Sequence, residues 1–323
     1  MKIEQDFFNE SLNKNYIFEK NPFIAVGVSG GPDSMCLLFL LNNWIKIKKG
    51  KLKALIVNHQ IRDESDLETK NIKKYLLNYK IDSSIIKVVK NKVEKKNMNE
   101  ARVNRYEVLL NYCKKKSILH LFIGHHQDDN LETFILRRLA GSNFEGLRSI
   151  QNKMIINHLQ ILRPLLEYKK KDILNYNQLN NIYYINDSSN KNLKYSRVVV
   201  RSFLENTNIY NKVIKKDFNQ IIENYPFYKK MIYEFFNLIV LKIEKNKIYV
   251  ISEIFFNLNQ EIKTKIIEII YKYLMPERKN LRYNKIVFFL KLLQDAFSCK
   301  KYHKINLAGM YIKNDELNLI FSR

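Results

Sequence analysis

The sequence predicts a mostly parallel, doubly wound α/β sheet followed by a smaller, mainly helical domain. Short apolar, β-branched runs alternate with helical patterns through the first part of the chain, as in parallel strands joined by crossover helices. Polar clusters follow several of these runs, at the strand ends where such sheets bind ligands. Beyond residue 205, Lys, Asn, Tyr and Phe become frequent and helical periodicity is the main signal.

Each element is predicted from its local pattern. Strands are expected at 23–28, 52–57, 84–90 and 118–124, and helices at 1–20, 35–48, 66–79, 97–115, 168–180, 211–238, 259–274 and 282–296. Hairpins are expected at 239–251 and close to the last residue. With 323 residues the chain is long enough for two domains. The predicted domains are residues 1–210 and residues 211–323.

The composition is strongly basic, with 56 Lys and Arg against 32 Asp and Glu and a net charge of +24. This balance suits a polyanionic partner, although an AT-rich genome would also enrich Lys, Asn, Ile and Tyr. Cys36, Cys113 and Cys299 form no CxxC pair, which excludes a zinc or disulfide framework and favours the cytoplasm. Neither a signal peptide nor a membrane-spanning run is found, so no membrane partner is expected.

The loop Ser29–Ser34, with the sequence Ser-Gly-Gly-Pro-Asp-Ser, lies between the first strand and an apolar helix. A strand, a glycine turn and a helix N-terminus direct backbone N–H groups at an anion such as phosphate. Gly30 and Gly31 permit close approach, and Pro32 suits the first helical turn. Asp33 beside a phosphate indicates an intervening Mg²⁺. The loop has no Lys and no third glycine, which excludes Walker A and Rossmann motifs.

A second polar cluster follows the fourth predicted strand. His125, Asp129 and Glu132 have the spacing of one helix face, where they could hold Mg²⁺, orient an amine or move a proton. The acidic residues alone would also suit a solvated helix N-terminus, but histidine cations would be unfavourable there. Arg102 and Arg105, one helical turn apart, are either anion ligands or part of a solvated helix face.

Several motifs occur in one order along the chain. They are Ser-Gly-Gly-x-Asp-Ser at 29–34, Asn-His-x-Ile-Arg-x-Glu-Ser at 58–65, Ala-Arg-x-x-Arg-Tyr at 101–106, His-His-x-Asp-Asp-x-x-Glu-Thr at 125–133, Arg-Pro-Leu-Leu at 163–166 and Asp-x-Ser-Asn at 187–190. The ordered set resembles the tRNA(Ile)-lysidine synthetases, which belong to the pyrophosphate-loop (PP-loop, N-type) ATP pyrophosphatases. Two positions depart from that pattern: Asn130 replaces a usual Gln, and Val198 replaces a usual Asn.

The resemblance implies an adenine nucleotide alpha hydrolase-like fold and a two-step ligation. ATP would adenylate the wobble cytidine of a CAU-anticodon tRNA(Ile), and L-lysine would then displace AMP at C2 to give lysidine. ATP and Mg²⁺ are the implied cofactors. The lysines and aromatic residues interleaved in residues 211–323 predict either a tRNA-binding domain or packed helices with solvated lysines. The implied roles are ATP binding by Ser29, Gly30, Gly31, Pro32, Asp33 and Ser34, Mg²⁺ binding by Asp33, lysine binding by Asp129, Glu132 and Arg197, and catalysis by Asp33, Arg102, His125, Asp129 and Glu132.

Two other functions stay open at this point. One is another PP-loop tRNA-modifying enzyme such as a cytidine thiolase, although those enzymes typically carry the CxxC pair that is missing here. The other is a non-catalytic, ATP-dependent RNA-binding protein, against which the intact Asp33, Asp129 and Glu132 argue. The sequence indicates no protein partner and leaves a homodimer open.

Overall fold

The computed structural model describes residues 2–58, 65–88, 98–185, 196–206, 208–279, 281–298, 304–315 and 317–323. Its contacts divide the chain into two compact units. The first comprises Met1–Leu136 and Ser149–Lys212, and the second comprises Arg137–Arg148 and Val213–Arg323. The short segment Arg137–Arg148 thus groups with the C-terminal part of the chain. The predicted functional domains are residues 1–210 and residues 211–323. This division of function stays a prediction.

The first unit contains a six-stranded sheet. Its strands are β1 (Phe23–Val28), β2 (Lys51–Asn58), β3 (Ser83–Lys87), β4 (His120–Ile123), β5 (Lys153–Ile156) and β6 (Leu159–Leu162). The strand order is β3-β2-β1-β4-β6-β5, and every pairing is parallel except that of β5 with β6. The order reverses between β1 and β4, so the crevice beyond their carboxyl ends is where such a sheet binds ligands.

Helices cover both faces of this sheet, which confirms the predicted fold class. The helices that begin in the first unit and precede α9 are α1 (Gln5–Asn15), α2 (Pro32–Ile47), α3 (Ser65–Asn78), α4 (Met98–Lys115), α5 (Gln127–Leu139), α7 (Lys170–Leu179) and α8 (Ser196–Asn206), with a 3₁₀ turn at Pro164–Glu167. Successive residues of β1 point to opposite faces. Ile24 and Val26 join the core under α2, whereas Ala25 joins the core that contains Leu109 of α4.

The second unit combines helices with an antiparallel sheet. Its elements are α6 (Phe144–Leu147), α9 (Asn208–Ile239), α10 (Ser252–Asn257), α11 (Gln260–Leu274), α12 (Tyr283–Ser298), β7 (Val240–Glu244), β8 (Lys247–Ile251), β9 (Ile305–Leu307), β10 (Met310–Asn314) and β11 (Asn318–Ser322). The two predicted hairpins join into one sheet of order β7-β8-β11-β10-β9. Ile248 and Val250 of β8 share one core with Leu319 and Phe321 of β11, which explains this pairing.

Parts of the first unit differ from the sequence-based predictions. The β5–β6 hairpin was not predicted, because its strands are only four residues long. Helix α5 begins at Gln127, so the prediction that His125 lies on that helix is wrong. The His125 N–H instead donates to the Ile123 carbonyl in a turn. The motif residues 59–64 and 187–190 lie outside the described residues. No helix in the described ranges is long and apolar enough to cross a membrane.

Candidate active site

The loop Ser29–Ser34 is held in shape by its two serines. The Ser34 hydroxyl accepts the Ser29 N–H at 3.2 Å and donates to the Gly31 carbonyl at 3.0 Å. Gly30 has φ of +84°, a conformation that favours glycine, and a Cβ there would lie 2.3 Å from Cδ1 of Ile72, so the Ile72 side chain would have to move. Because α2 begins at Pro32, the loop leads into a helix N-terminus, the geometry that accepts phosphate.

A second glycine brings the His125–Glu132 cluster to this loop. Gly124 follows β4, and a Cβ on it would lie 3.0 Å from the backbone carbonyl carbon and oxygen of Asp33. The chain leaving β4 therefore runs directly against the first turn of α2. Sequence analysis did not single out Gly124, although a glycine between a buried strand and a polar cluster is a usable signal for such an approach.

His126 links the carboxylates of the two motifs. Its Nε2 lies 3.8 Å from Oδ1 of Asp33 and 3.5 Å from Oδ2 of Asp129, and the ring is buried. The Asp129 carboxylate also accepts the backbone N–H of His126 at 3.1 Å. Asp33 and Asp129, which are distant in sequence, therefore flank one imidazole. The sequence analysis gave His126 no role of its own.

The environment of Asp129 keeps its carboxyl group ionised. Burial by itself raises the pKa of Asp129, but His126, the His126 backbone N–H and the positive charge of Arg197 together outweigh burial and hold that pKa below its usual range. The side chain retains 14% of its surface exposed. Asp129 therefore presents a nearly enclosed negative charge, which is suited to binding an ammonium group.

His125 is a neutral, buried imidazole. Burial lowers its pKa to about 3, and the positive charges of Arg163, Arg102 and Arg105 add to the decrease, while Asp129 opposes it. Its Nδ1 has no hydrogen-bond partner among the described residues. At neutral pH His125 can therefore offer hydrogen bonds to a ligand without contributing a charge.

Arg102, Arg105 and Arg197 form a cluster of positive charges that influence one another. Burial lowers the pKa of Arg105, and the neighbouring charges of Arg102 and Arg197 lower it further, whereas Tyr106 and Asp129 raise it. Arginines that are close enough to disfavour one another's charge are stabilised when an anion binds among them. The cluster joins the predicted Arg102 and Arg197, which come from different helices, and adds Arg105. It can serve a carboxylate or a phosphate.

Glu132, unlike Asp129, is paired with an arginine side chain. Its side chain is 0% exposed and receives two hydrogen bonds from the Arg201 guanidinium, at 2.7 and 3.3 Å. Burial raises the pKa of Glu132, while Arg201 opposes the increase. Arg197, one turn earlier on α8, donates to the Thr133 hydroxyl at 3.1 Å. These contacts hold α8 against α5, and without Arg201 the wholly buried Glu132 carboxylate would lose its charged partner.

The structure adds one cation that sequence analysis missed. Lys170, the first residue of α7, places Nζ 2.6 and 2.7 Å from the two carboxylate oxygens of Asp33. Its backbone N–H donates to the Asp128 carboxylate at 2.8 Å. In the sequence Lys170 is the middle one of three consecutive lysines, so no local signal distinguishes it.

Within the described ranges, no group of three or more His, Cys, Asp or Glu side chains is arranged to hold a metal ion. A cage built wholly from protein ligands is therefore not seen in that part of the chain. Asp33, within the loop, matches the other mode of Mg²⁺ binding, in which one or two carboxylates act together with substrate phosphates and water.

Known proteins similar to this chain agree with its fold and motifs. The family described as the PP-loop domain matches residues 3–208. The solved structure of the U34-tRNA thiolase NcsA from Methanococcus maripaludis, with its 4Fe-4S cluster, superposes with a TM-score of 0.56 at 19% identity. That superposition covers 68% of this chain and 79% of the thiolase. At this identity it shows a shared fold alone.

Two curated relatives are closer in sequence. The tRNA(Ile)-lysidine synthase of Orientia tsutsugamushi (strain Boryong) is 37% identical over 205 residues, covering 64% of this chain and 46% of that protein. The one from Rickettsia bellii (strain OSU 85-389) is 32% identical over 313 residues, 93% of this chain and 69% of that protein. The chain spans about half the length of the first of these relatives. By its PP-loop domain and by these matches, the chain belongs to the tRNA(Ile)-lysidine synthase family of PP-loop proteins.

Proposed function

We propose that the protein joins L-lysine to C2 of the wobble cytidine of a CAU-anticodon tRNA(Ile), converting ATP to AMP and pyrophosphate. The observation that carries the proposal is that the phosphate-type loop and the carboxylate of Asp129 both lie beside His126. The phosphate-type loop with Asp33 lies on one side of this imidazole, and the ionised Asp129 lies on the other. A nucleotide and an amine can therefore be held next to each other. Since ATP, tRNA and free lysine are cytoplasmic molecules, the proposal places the protein in the cytoplasm.

In the first step, the loop Ser29–Ser34 binds the ATP phosphates through its N–H groups and hydroxyls. The cytidine O2 attacks the α-phosphate, and the bond to pyrophosphate breaks. Mg²⁺, when bound, would neutralise charge on the phosphates, and Asp33 is the residue that would hold it. The adenylate gives C2 a good leaving group. The cytidine must leave the base stack to enter this pocket, as bases of single-stranded loops do.

In the second step, the lysine ε-ammonium loses a proton to bulk water and the neutral ε-amine attacks C2. The C2–O bond then breaks, AMP departs with the cytidine O2, and the new C–N nitrogen releases its second proton to water. Asp129 binds and orients the incoming ammonium, because a carboxyl group with a lowered pKa is a better anion than a proton acceptor. The cluster of Arg102, Arg105 and Arg197 binds the lysine carboxylate or the AMP phosphate. We assign Glu132 to holding α8 in place through Arg201, and His125 to a neutral hydrogen bond with the adenylate.

Labelled lysine should enter a CAU-anticodon tRNA(Ile) transcript only when the protein, ATP and Mg²⁺ are all present. A transcript in which the wobble cytidine is replaced by uridine is the matched control and should stay unlabelled, because the reaction needs the cytidine. Acid-precipitable radioactivity measures the transfer. Absence of labelling in the complete mixture, or labelling that does not need ATP, would overturn the proposal.

We also propose that residues 211–323 bind tRNA. Helix α9 carries exposed lysines at Lys216, Lys229 and Lys230, with the exposed ring of Phe227 among them. Lysines that neutralise phosphates, interleaved with aromatic rings that stack on bases, are the usual means of binding single-stranded RNA.

Reversing the charge of these three α9 lysines to Glu should weaken tRNA binding by about tenfold or more at low salt, and it should flatten the salt dependence of the affinity. Filter binding at several salt concentrations measures both quantities. The control replaces the exposed lysines Lys114–Lys116, at the end of α4, and so changes the net charge equally. Equal losses for the two triple variants would show that only total charge matters and would contradict a binding role for α9.

A further inference from the structure

The loop Ser29–Ser34 contains a carboxylate but no cation of its own. Phosphate-binding loops commonly include a lysine that reaches the terminal phosphates of a nucleotide. In this chain, helix α7 supplies a cation that contacts the loop. The Lys170 Nζ donates hydrogen bonds to both carboxylate oxygens of Asp33, at 2.6 and 2.7 Å, and the Lys170 side chain is 35% exposed.

The backbone of Lys170 is fixed against the loop by several contacts. Its own N–H donates to Asp128, and the carbonyl of Tyr168 accepts the N–H of Gln127 at 2.9 Å. Two turns further along α7, the buried side-chain amide of Asn177 donates to the Pro32 carbonyl at 2.9 Å. The start of α7 is thereby held beside the start of α2, while the flexible lysine stem leaves Nζ free to change partner.

We propose that Lys170 is the phosphate-binding cation of the loop and that it binds the β- or γ-phosphate of ATP. Without nucleotide its ammonium group neutralises Asp33. With nucleotide bound, the ammonium moves onto the polyphosphate and Asp33 becomes available to a divalent cation. The inference rests on the proposed use of ATP, and it adds a ligand for the departing pyrophosphate that the loop sequence lacks.

Titration calorimetry of the full chain with ATP and with AMP, in the presence of Mg²⁺, tests this assignment. Lys170→Met should weaken ATP binding by roughly 10- to 100-fold, the value of one charge-assisted contact, and should change AMP affinity by less than about twofold. Lys170→Arg should retain most of the ATP affinity. Lys171→Met removes the same charge from the neighbouring exposed lysine and should bind both nucleotides normally.

Two results would overturn the inference. Wild-type ATP affinity in Lys170→Met would show that the lysine only pairs with Asp33. Equal losses for ATP and AMP would indicate a disturbed loop, and thermal unfolding of the variant would then show the same disturbance. The proposed function is tested separately: if ATP binding depends on Lys170 but no lysine reaches tRNA, the inference stands and the lysine transfer does not.

Discussion

Asp33→Asn is expected to lower ATP-dependent pyrophosphate release by at least about a hundredfold, the effect of removing one charged group that acts on the developing charge. Asn keeps the size of the side chain and its place in the first turn of α2. It loses the negative charge that Lys170 neutralises at 2.6 and 2.7 Å and that would hold Mg²⁺. Pyrophosphate release in the presence of the CAU-anticodon tRNA measures the effect.

The control for Asp33 is Asp172→Asn. Asp172 also lies in the first turn of a helix, where its carboxylate accepts the N–H of Lys169 at 3.0 Å, a bond that Asn can still accept. This variant should release pyrophosphate at nearly the wild-type rate. If Asp33→Asn behaves in the same way as the control, Asp33 has no part in the adenylation step.

Asp129→Asn should separate the two steps of the reaction. Adenylation should continue, while transfer of lysine should fall by about a hundredfold or more, because the charge that we propose binds the ammonium is lost. The amide oxygen can still accept the His126 N–H, so the local turn is retained. Quenched reactions with ATP labelled at the α-phosphate should show adenylated tRNA accumulating in place of lysidine.

Glu132→Gln provides the contrast for Asp129→Asn. Because Glu132 is wholly buried and paired with Arg201, its loss should lower the melting temperature and should not cause adenylated tRNA to accumulate. Accumulation in Glu132→Gln and not in Asp129→Asn would reverse the roles of the two carboxylates.

The parts of the fold that sequence predicted are those with strong local signals. Strand β1 and the helix that begins at Pro32 are bounded by an apolar run, two glycines and a proline, each with a conformational preference of its own. The five-stranded sheet of the second unit was predicted only as separate hairpins. The pairing of β8 with β11 joins strands between which α10, α11, α12, β9 and β10 lie in the chain, and no local pattern encodes it.

The roles of single side chains in the site were also hard to predict from local sequence. Asp129 and Glu132 are equivalent in sequence, as acidic residues near the start of one helix. Burial against Arg201 of α8 makes them different. Lys170 stands in a run of three lysines, and only the packing of α7 beside α2 directs the middle one to Asp33. Such distinctions depend on contacts between segments that are distant in the chain.

The most direct test of the central claim is mass spectrometry of nucleosides from a CAU-anticodon tRNA(Ile) incubated with the protein, ATP, Mg²⁺ and L-lysine. The account predicts that the wobble cytidine gains the mass of lysine less one water, and that omitting ATP or lysine prevents the gain. An unchanged cytidine, or a cytidine that instead gains sulfur in the presence of a sulfur donor, would contradict the account.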